Sequence, residues 1–429
     1  MTAESRIRSL DASIEDALDD IVRLTCDLVA FPTINPPGEA YAPCAEFIGE
    51  RLRRSGFDVR YIRADGAPGD SDLYPRTNVV ARREGSRPGP TVHFNGHIDV
   101  VEAGAGWTVD PFRATVRDGR VYGRGTCDMK GGLAAAIVAA EIYVAFAPDH
   151  PGAVEISGTV DEESGGYGGV AHLARIGLLA KPRVDHVIIP EPLGHDRICV
   201  GHRGAWWAEI ETHGRIAHGS MPFLGDCAVR HMAAAIERFE RDLWPALAAR
   251  STTMPVVPEP AGAATLNLNA IHGGEAEGFE GLPSPNVPHS CRMTIDRRFL
   301  IEERLEDVKA EVTGLLDRLR DERPGFAYAI RDVMEILPTQ TPADASVVRA
   351  LDRAVGDVLG RAPAHIASPG TYDQKHFARL GHVEDCVAYG PGILELAHQP
   401  DEFVVIDDMV TSARVMARAL GALLGMDRP

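Results

Sequence analysis

Hydrophobic positions in the first 200 residues alternate between helical spacing and the spacing of short buried strands. Apolar residues from 14 to 29 recur at helical intervals, and Pro32 ends that segment because proline cannot continue a helix. The elements predicted after it are a helix closed by Gly56, strands at about 57–62, 77–82 and 91–95, an Ala-rich helix at about 130–146, the strand VEISGTV, a helix near 168–178 and the strand HVIIP. Short buried strands separated by helices are typical of an α/β fold, so we expect a three-layer domain around a mostly parallel sheet.

The pattern changes between about residues 202 and 333. Four segments alternate like half-buried strands: AWWAEIETHG, ATLNLNAI, CRMTIDRRF and FAYAIRDV. Helices are predicted between them at 227–243 and 301–320. This β-α-β-β-α-β order is that of a ferredoxin-like α+β domain. Helices at 346–358 and 407–424, with the strand CVAYG between them, then return to the α/β pattern. We therefore predict a catalytic α/β domain built from residues 1–201 and 334–429, interrupted by an inserted domain at 202–333.

Charge and composition exclude several classes of partner. The chain carries 44 basic and 62 acidic residues, a net charge of −18, which argues against nucleic acid or an anionic membrane as a partner. Seven cysteines without CxxC spacing fit reduced thiols. The start of the sequence is polar and acidic, unlike a secretory signal, and the apolar helical run at 133–140 is too short to span a bilayer. We expect a soluble, cytoplasmic protein.

Acidic and histidine side chains occur where the predicted strands end. His97 and Asp99 are two residues apart at the end of one strand, so they share a face of the sheet. The other candidates are Asp128 in the turn GRGTCDMKGG, Asp161, Glu162 and Glu163 in VDEESGG, and Glu191 in IIPEPLG. Because the carboxyl ends of parallel strands converge on the ligand crevice, we expect these side chains to meet there.

Several carboxylates buried together require compensating cations. Two divalent ions carry four positive charges, which three ligating carboxylates and one bound hydroxide would balance. Histidine and carboxylate ligands without cysteine fit hydrolytic zinc, manganese or cobalt sites. We predict two divalent ions per subunit, with zinc as the first expectation and manganese or cobalt left open.

Five motifs, in this order, make the resemblance to a known family specific. HFNGHIDVV, GRGTCDMKGG, DEESGG, PEP and GPGILELAHQPDE resemble the signature set of a family of two-metal hydrolases. This family includes acetylornithine deacetylase, succinyl-diaminopimelate desuccinylase, aminoacylase and carboxypeptidase G. The resemblance extends along nearly the whole chain, and it implies that the inserted domain is a lid through which the protein forms a homodimer.

The resemblance also implies a role for each motif residue. The implied metal ligands are His97 and Glu191 on one ion, Glu163 and His398 on the other, and Asp128 bridging both. Asp99 would lie behind His97 and fix its tautomer. Glu162 would be the general base that takes a proton from the metal-bridging water and passes it to the leaving nitrogen.

Further residues are implied in the inserted domain. His218, in GRIAHGS, matches a histidine that crosses the dimer interface of the family to stabilise the oxyanion. Asn286, in NVPHSC, and Arg298, in TIDRR, match polar positions that contact the carboxylate of the substrate. An arginine in an alternating strand is also common on a solvated face, so the second interpretation of Arg298 is purely structural.

The loop SPGTYDQKHF would line the substrate pocket, with the backbone of Gly370 and Thr371 beside the substrate. Tyr372 in this loop stands where many relatives carry serine. Cys227 replaces a commoner asparagine, and Gln399 follows His398 in place of threonine. These departures remove no ligand, but the first two leave the substrate open.

The sequence therefore predicts a metallohydrolase that cleaves a C–N bond of a small carboxylate-bearing substrate, foremost the amide of an N-acyl amino acid. No cluster of acids suited to a free α-amine is evident, which argues against an aminopeptidase. The alternatives are deamination of an activated aromatic amine, as by nitroanthranilate aminohydrolase, and a carboxypeptidase-like activity. A non-catalytic binding protein is the least favoured interpretation, because all five ligands and Glu162 are present.

Overall fold

The structure, a computed structural model, describes residues 3–275 and 278–425. These residues form two compact units. The first unit contains the chain up to Gly201, Thr341–Ile366 and the residues from Tyr372 onward, and the second contains His202–Gln340 and Ala367–Thr371. The chain returns to the first unit at Thr341, later than the sequence pattern indicates, because the last long strand of the second unit continues to Ile336.

The helices and strands are numbered in chain order. The helices are α1 (Ala3–Glu15), α2 (Leu18–Val29), α3 (Tyr41–Arg54), α4 (Gly131–Phe146), α5 (Val170–Arg175), α6 (Ala228–Arg238), α7 (Trp244–Ala248), α8 (Leu305–Glu322), α9 (Ser346–Leu359), α10 (Gln374–Arg379) and α11 (Ile406–Leu424). The strands are β1 (Asp58–Arg63), β2 (Thr77–Glu84), β3 (Arg87–His97), β4 (Thr115–Arg117), β5 (Arg120–Tyr122), β6 (Pro151–Thr159), β7 (His186–Ile189), β8 (Arg197–His202), β9 (Gly204–His213), β10 (Thr265–Gly273), β11 (Ser290–Phe299), β12 (Ala327–Ile336), β13 (Thr339–Gln340), β14 (Ala364–Ser368), β15 (Cys386–Ala388) and β16 (Phe403–Val405).

The first unit is built on a sheet with the order β1-β2-β6-β3-β7-β15-β8. Its four central strands, β6, β3, β7 and β15, run parallel. The flanking strands β1, β2 and β8 are antiparallel to their neighbours. The predicted α/β fold with a mostly parallel central sheet is confirmed.

Apolar helices pack against one another and against this sheet in one core. Residues of α2, α4 and α11 belong to it together with the inward residues of β2, β3 and β6. Helix α4 is apolar on nearly every face and almost fully buried, as expected of a helix inside a core. Among the described residues, Thr126–Phe146 alone is long and apolar enough to cross a membrane, and 78% of its apolar window is buried inside the protein.

The second unit is a four-stranded antiparallel sheet with the order β10-β11-β9-β12. The buried residues of α6 and α8 share a core with its strands. Along β11 buried and partly exposed residues alternate, which is the pattern of a strand with one face in the core. This strand order and the β-α-β-β-α-β connectivity confirm the predicted ferredoxin-like inserted domain.

Candidate active site

Neighbouring parallel strands of the first unit end at one place. Strand β3 ends on His97, which lies beside Thr159 at the end of β6, and β7 leads within two residues to Glu191. The turn that carries Asp128 precedes α4. A Cβ atom at Gly132 would lie 2.0 Å from the carbonyl oxygen of Pro190, so glycine is required for the start of α4 to approach the Glu191 loop.

Two groups of three side chains each bring their ligand atoms within 4.8 Å of one another. The groups are His97, Asp128 and Glu191, and Asp128, Glu163 and His398. His97 Nε2 lies 3.0 Å from Asp128 Oδ1, and His398 Nε2 lies 3.1 Å from Glu163 Oε1 and 3.6 Å from Asp128 Oδ2. The structure thus brings together all five predicted ligand side chains, with Asp128 common to both groups.

Burial and mutual repulsion perturb these groups. Burial raises the pKa of Glu191 well above its usual range and raises the pKa of Glu163 to about 7. Burial acts on Asp128 in the same direction, but the hydrogen bond and charge of His97 hold its pKa below the usual value. The hydrogen bond to Glu163 raises the pKa of His398 to about 9.

The donor set fits two divalent cations. Three carboxylates and two imidazoles, arranged around one shared carboxylate, are the oxygen and nitrogen ligands that hydrolytic metal ions take in proteins. Carboxylates this crowded ionise together only when cations compensate them. Metal binding would therefore reverse the raised pKa values of Glu163 and Glu191.

Asp99 contacts the site through both its main chain and its carboxylate. His97 Nδ1 donates to the main-chain carbonyl oxygen of Asp99 over 2.9 Å, whereas the Asp99 carboxylate is 3.6 Å away. That carboxylate accepts the backbone N–H groups of Glu162 and Glu163, at 3.2 and 3.1 Å, and the side-chain amide of Asn35 at 3.0 Å. The main-chain carbonyl thus fixes the tautomer of His97, and the carboxylate holds the loop that carries Glu162.

Glu162 has a partner that the sequence pattern did not reveal. The Nζ atom of Lys375 donates to Glu162 Oε1 over 3.0 Å, and both side chains are buried or nearly so. Lys375 lies in the loop SPGTYDQKHF at the beginning of α10. A lysine next to a predicted pocket loop carries no spacing signal of its own, so only the fold shows this contact.

A chain of buried polar side chains runs along the shared face of β3 and β6. His93 contacts Glu155 Oε1 at 3.2 Å and Ser157 Oγ at 2.8 Å. Ser157 donates to Asn95 Oδ1 over 2.7 Å, and Asn95 Nδ2 donates to Asp373 Oδ2 over 3.1 Å. His93 thus belongs to a hydrogen-bonded chain that ends two residues before Lys375.

Three further predicted residues lie in the second unit, where two of them are paired. His218 and Asn286 pair as an isolated antiparallel bridge, and Ser220 Oγ lies 2.7 Å from His218 Nδ1. Arg298 binds the carboxylate of Asp296 through Nε at 2.8 Å and Nη2 at 3.0 Å. The roles implied for His218, Asn286 and Arg298 stay predictions.

The loop that carries Gly370, Thr371 and Tyr372 spans the boundary between the two units in the chain. Tyr372 is 5% exposed, and its hydroxyl donates to Gln374 Oε1 over 2.7 Å in the interior of the first unit. The implied place of Tyr372 beside the substrate stays a prediction. Gly370 and Thr371 belong to the second unit, where the Gly370 N–H donates to Ser368 Oγ over 3.1 Å. The implied substrate contacts of Gly370 and Thr371 stay predictions.

Residues 93–422 match the model of the peptidase family M20/M25/M40. The chain belongs to this family. This M20 protein is 32% identical to the succinyl-diaminopimelate desuccinylase of Stenotrophomonas maltophilia (strain K279a), over 94% of this chain and 99% of that relative. Hydrolysis of a C–N amide bond, predicted from the motifs, is thereby confirmed, and the aromatic amine alternative is not favoured.

Solved structures show the same fold for this M20 hydrolase. The di-peptidase Dug1p from Saccharomyces cerevisiae superimposes with a TM-score of 0.79 at 17% identity, covering 99% of both chains. The Bacillus subtilis YXEP protein, described as a dinuclear metal binding peptidase of the M20 family, gives a TM-score of 0.65 at 14% identity, covering 96% of this chain and 99% of that one. The two ligand groups sharing Asp128 accord with a dinuclear centre.

Proposed function

We propose that this M20 hydrolase removes the acyl group from a small N-acyl amino acid, in a reaction of the deacylase or desuccinylase type. The observation that supports the proposal is the pair of candidate ligand groups that share Asp128, together with Glu162 next to Glu163 in the chain. The resemblance to enzymes named succinyl-diaminopimelate desuccinylase supports an acyl amino acid as the substrate class.

We propose separate roles for the metal-binding residues and for the general base of the site. We propose the ligand assignment predicted from the motifs: His97 and Glu191 on one ion, Glu163 and His398 on the other, and Asp128 on both. When bound, the two ions would polarise the carbonyl group and activate a water molecule, and zinc, manganese or cobalt suits the ligands. Glu162 accepts one proton from the water and delivers it to the nitrogen as the C–N bond breaks, so that a carboxylic acid and an amine are formed.

We assign recognition of the substrate carboxylate to Arg298 and Asn286, and oxyanion stabilisation to His218, on the strength of the motif resemblance. The Asp296 pair occupies Nε and Nη2 of Arg298, which leaves Nη1 for a ligand. A charge-assisted hydrogen bond from this group suits a carboxylate close to the scissile bond. We also propose a homodimer formed through the second unit, and a cytoplasmic location, which the absence of disulfide bonds among the described residues supports.

The direct test is metal analysis of the purified protein, followed by a substrate panel with each metal restored. The panel contains N-succinyl and N-acetyl amino acids, their methyl esters, dipeptides and a nitro-substituted aromatic amine. We expect turnover of the N-acyl amino acids, and we expect the esters to lose ~1.5–3 kcal/mol of binding, or about 10- to 150-fold. Equal turnover of acids and esters would exclude the carboxylate anchor, and turnover of dipeptides or the aromatic amine alone would exclude the deacylase.

A further inference from the structure

A buried lysine contacts the candidate general base without belonging to either ligand group. Lys375 is 3% exposed and lies in the first turn of α10. Burial disfavours its charged form, but the charges of Glu162 and Asp373 outweigh that effect and raise its pKa above the usual value. The side chain is therefore a buried cation that stays charged at the pH at which hydrolases work.

The negative charge of the Glu162 carboxylate needs a counter-charge other than the proposed metal ions. Two bound ions would balance the carboxylates of Asp128, Glu163 and Glu191, which are the acidic members of those groups. Glu162 is not among them, although its side chain is only 11% exposed. A buried carboxylate without a cation is strongly disfavoured, and Lys375 supplies that cation.

The contact also fixes the orientation of the Glu162 carboxylate. The backbone of Glu162 is already held by Asp99, and the carbonyl oxygen of Gly165 lies 2.7 Å from His376 Nε2 on α10. These contacts hold the main chain but leave the side-chain torsions of Glu162 free. Among the described residues, Lys375 is the one side chain that hydrogen-bonds this carboxylate, and it binds Oε1.

Helix α10 is itself firmly anchored, which is what a positioning element requires. Gln374 Nε2 donates to Thr341 Oγ1 over 2.9 Å and to the carbonyl oxygen of Cys386, in β15, over 2.7 Å. Asp373, one residue before α10, accepts the hydrogen bond from Asn95 at the end of the buried polar chain. The two residues just before Lys375 are thus hydrogen-bonded to β3 and β15 of the central sheet.

We propose that Lys375 is a positioning residue that holds the Glu162 carboxylate in the orientation needed for proton transfer. The proposal rests on the proposed function, because it takes Glu162 as the base of a hydrolase. Lys375 acts through Glu162, so its loss should lower kcat and leave KM and metal content nearly unchanged. A displacement of about 1 Å at a catalytic group can cost about 100-fold in rate.

The kinetic test compares Lys375→Met, Lys375→Arg and the control Lys181→Met. Lys181 forms an exposed ion pair with Asp185 at 2.8 Å in the same unit, so its substitution should not change turnover. With the best N-acyl amino acid of the panel, we expect Lys375→Met to lower kcat by about 10- to 100-fold, with KM within about three-fold, and Lys375→Arg to recover most of the loss. In a Glu162→Gln background, Lys375→Met should cause no further loss. Additive losses, or a loss confined to KM or to metal content, would overturn the proposal.

A second measurement separates failure of this proposal from failure of the proposed function. If the metal-loaded wild type cleaves no N-acyl amino acid, the proposed function fails, whereas the position of Glu162 can still be determined. A crystal structure of metal-loaded Lys375→Met should show the Glu162 carboxylate displaced or in several rotamers, and an unchanged carboxylate would overturn the positioning role. If Lys375→Met does not fold, Lys375→Gln, which keeps a donor without the charge, serves for the same measurement with the same two outcomes.

Discussion

At the scale of single residues, Glu162 and Glu163 are neighbours in sequence with different surroundings. Glu163 Oε1 faces His398 Nε2 at 3.1 Å, and Glu163 belongs to a ligand group. Glu162 Oε1 faces Lys375 instead. Two adjacent carboxylates in one loop can therefore serve two purposes, because the side chains that face them differ.

This difference predicts that two conservative substitutions differ in their effect on metal content. Glu162→Gln should keep both metals and lower turnover by at least ~100-fold, the scale of general acid–base catalysis. Glu163→Gln should lower metal content as well as turnover, because it weakens a ligand. Metal analysis beside steady-state kinetics checks both, and equal metal loss in the two variants would contradict the assignment.

A substitution of Asp99 should affect the contacts of its carboxylate but not those of its main-chain carbonyl. In Asp99→Asn the main-chain carbonyl still holds His97, but one amide oxygen replaces the two carboxylate oxygens that accept the N–H groups of Glu162 and Glu163. We expect metal affinity to fall by about 10-fold or more, through the loosened loop. Competition with a fluorescent chelator measures the affinity.

The control for Asp99→Asn is Asp385→Asn. Asp385 pairs with His186 at 2.6 Å but contacts neither ligand group. Its substitution should leave metal affinity unchanged. If Asp99→Asn binds metal as tightly as the wild type, the carboxylate has no part in supporting the site.

At the scale of elements, the sequence predicted long periodic segments better than short ones. Helices α4, α9 and α11 and the strands of the second unit lie close to the predicted positions, because their periods repeat several times. Strands β4, β5 and β16 have three residues each and show no period, so they were not predicted. Helix α10 begins with polar residues that are buried through hydrogen bonds, which conceals it from a hydrophobic pattern.

In the candidate site, too, some features could be predicted from the sequence and others could not. The five predicted ligands and Glu162 lie in short local motifs, which a sequence displays directly. The contact of Lys375 with Glu162 joins residues 213 positions apart, and the contact of Asn95 with Asp373 joins residues 278 apart. Such pairs depend on the packed fold, so no local pattern could predict them.

Helices α1 and α11 are joined by an ionic contact whose strength should depend on pH. Asp11 on α1 accepts hydrogen bonds from Arg414 Nη2 at 3.1 Å and Arg418 Nε at 2.9 Å on α11. Burial tends to raise the pKa of Asp11, but the two guanidinium groups outweigh it and lower the pKa. A carboxyl group with a lowered pKa in the folded state stabilises the fold above its unfolded pKa of about 3.9, and this contribution is lost as the pH falls through the folded value.

We therefore expect Asp11→Asn to lower the free energy of unfolding by ~1–3 kcal/mol at pH 7, and the difference from wild type to shrink as the pH falls below about 4. Denaturant titrations at several pH values measure the difference. Glu15→Gln is the control, because Glu15 pairs with Arg414 while 54% exposed and should cost less than ~1 kcal/mol. A difference between Asp11→Asn and wild type that does not vary with pH would mean that packing, and not charge, is lost.

At the scale of the whole molecule, the proposed dimer predicts complementation between inactive subunits. Inactive His218→Ala and Glu162→Gln subunits, mixed in equal amounts, would form mixed dimers in which one site has both residues if His218 acts on the partner. Random exchange makes half of the dimers mixed, so about a quarter of the wild-type activity should return. Sedimentation analysis verifies the dimer, and mass spectrometry verifies exchange.

His218→Ala mixed with wild type serves as the reference for dilution effects. If subunit exchange is verified and the two inactive variants together recover nothing, His218 does not act across a subunit boundary. If the protein sediments as a monomer at assay concentrations, the proposed homodimer itself is excluded.

The position of β15 has a consequence for the order in which the protein can assemble during synthesis. This strand lies between β7 and β8 in the central sheet, yet it is synthesised after the whole of His202–Gln340. The nascent first unit therefore waits with a gap in its sheet, and without His398 and Lys375, while the second unit already has all four of its main strands. Translation of the segment from Lys375 onward thus both closes the sheet and supplies the final side chains of the candidate site, so a product truncated before it would have neither.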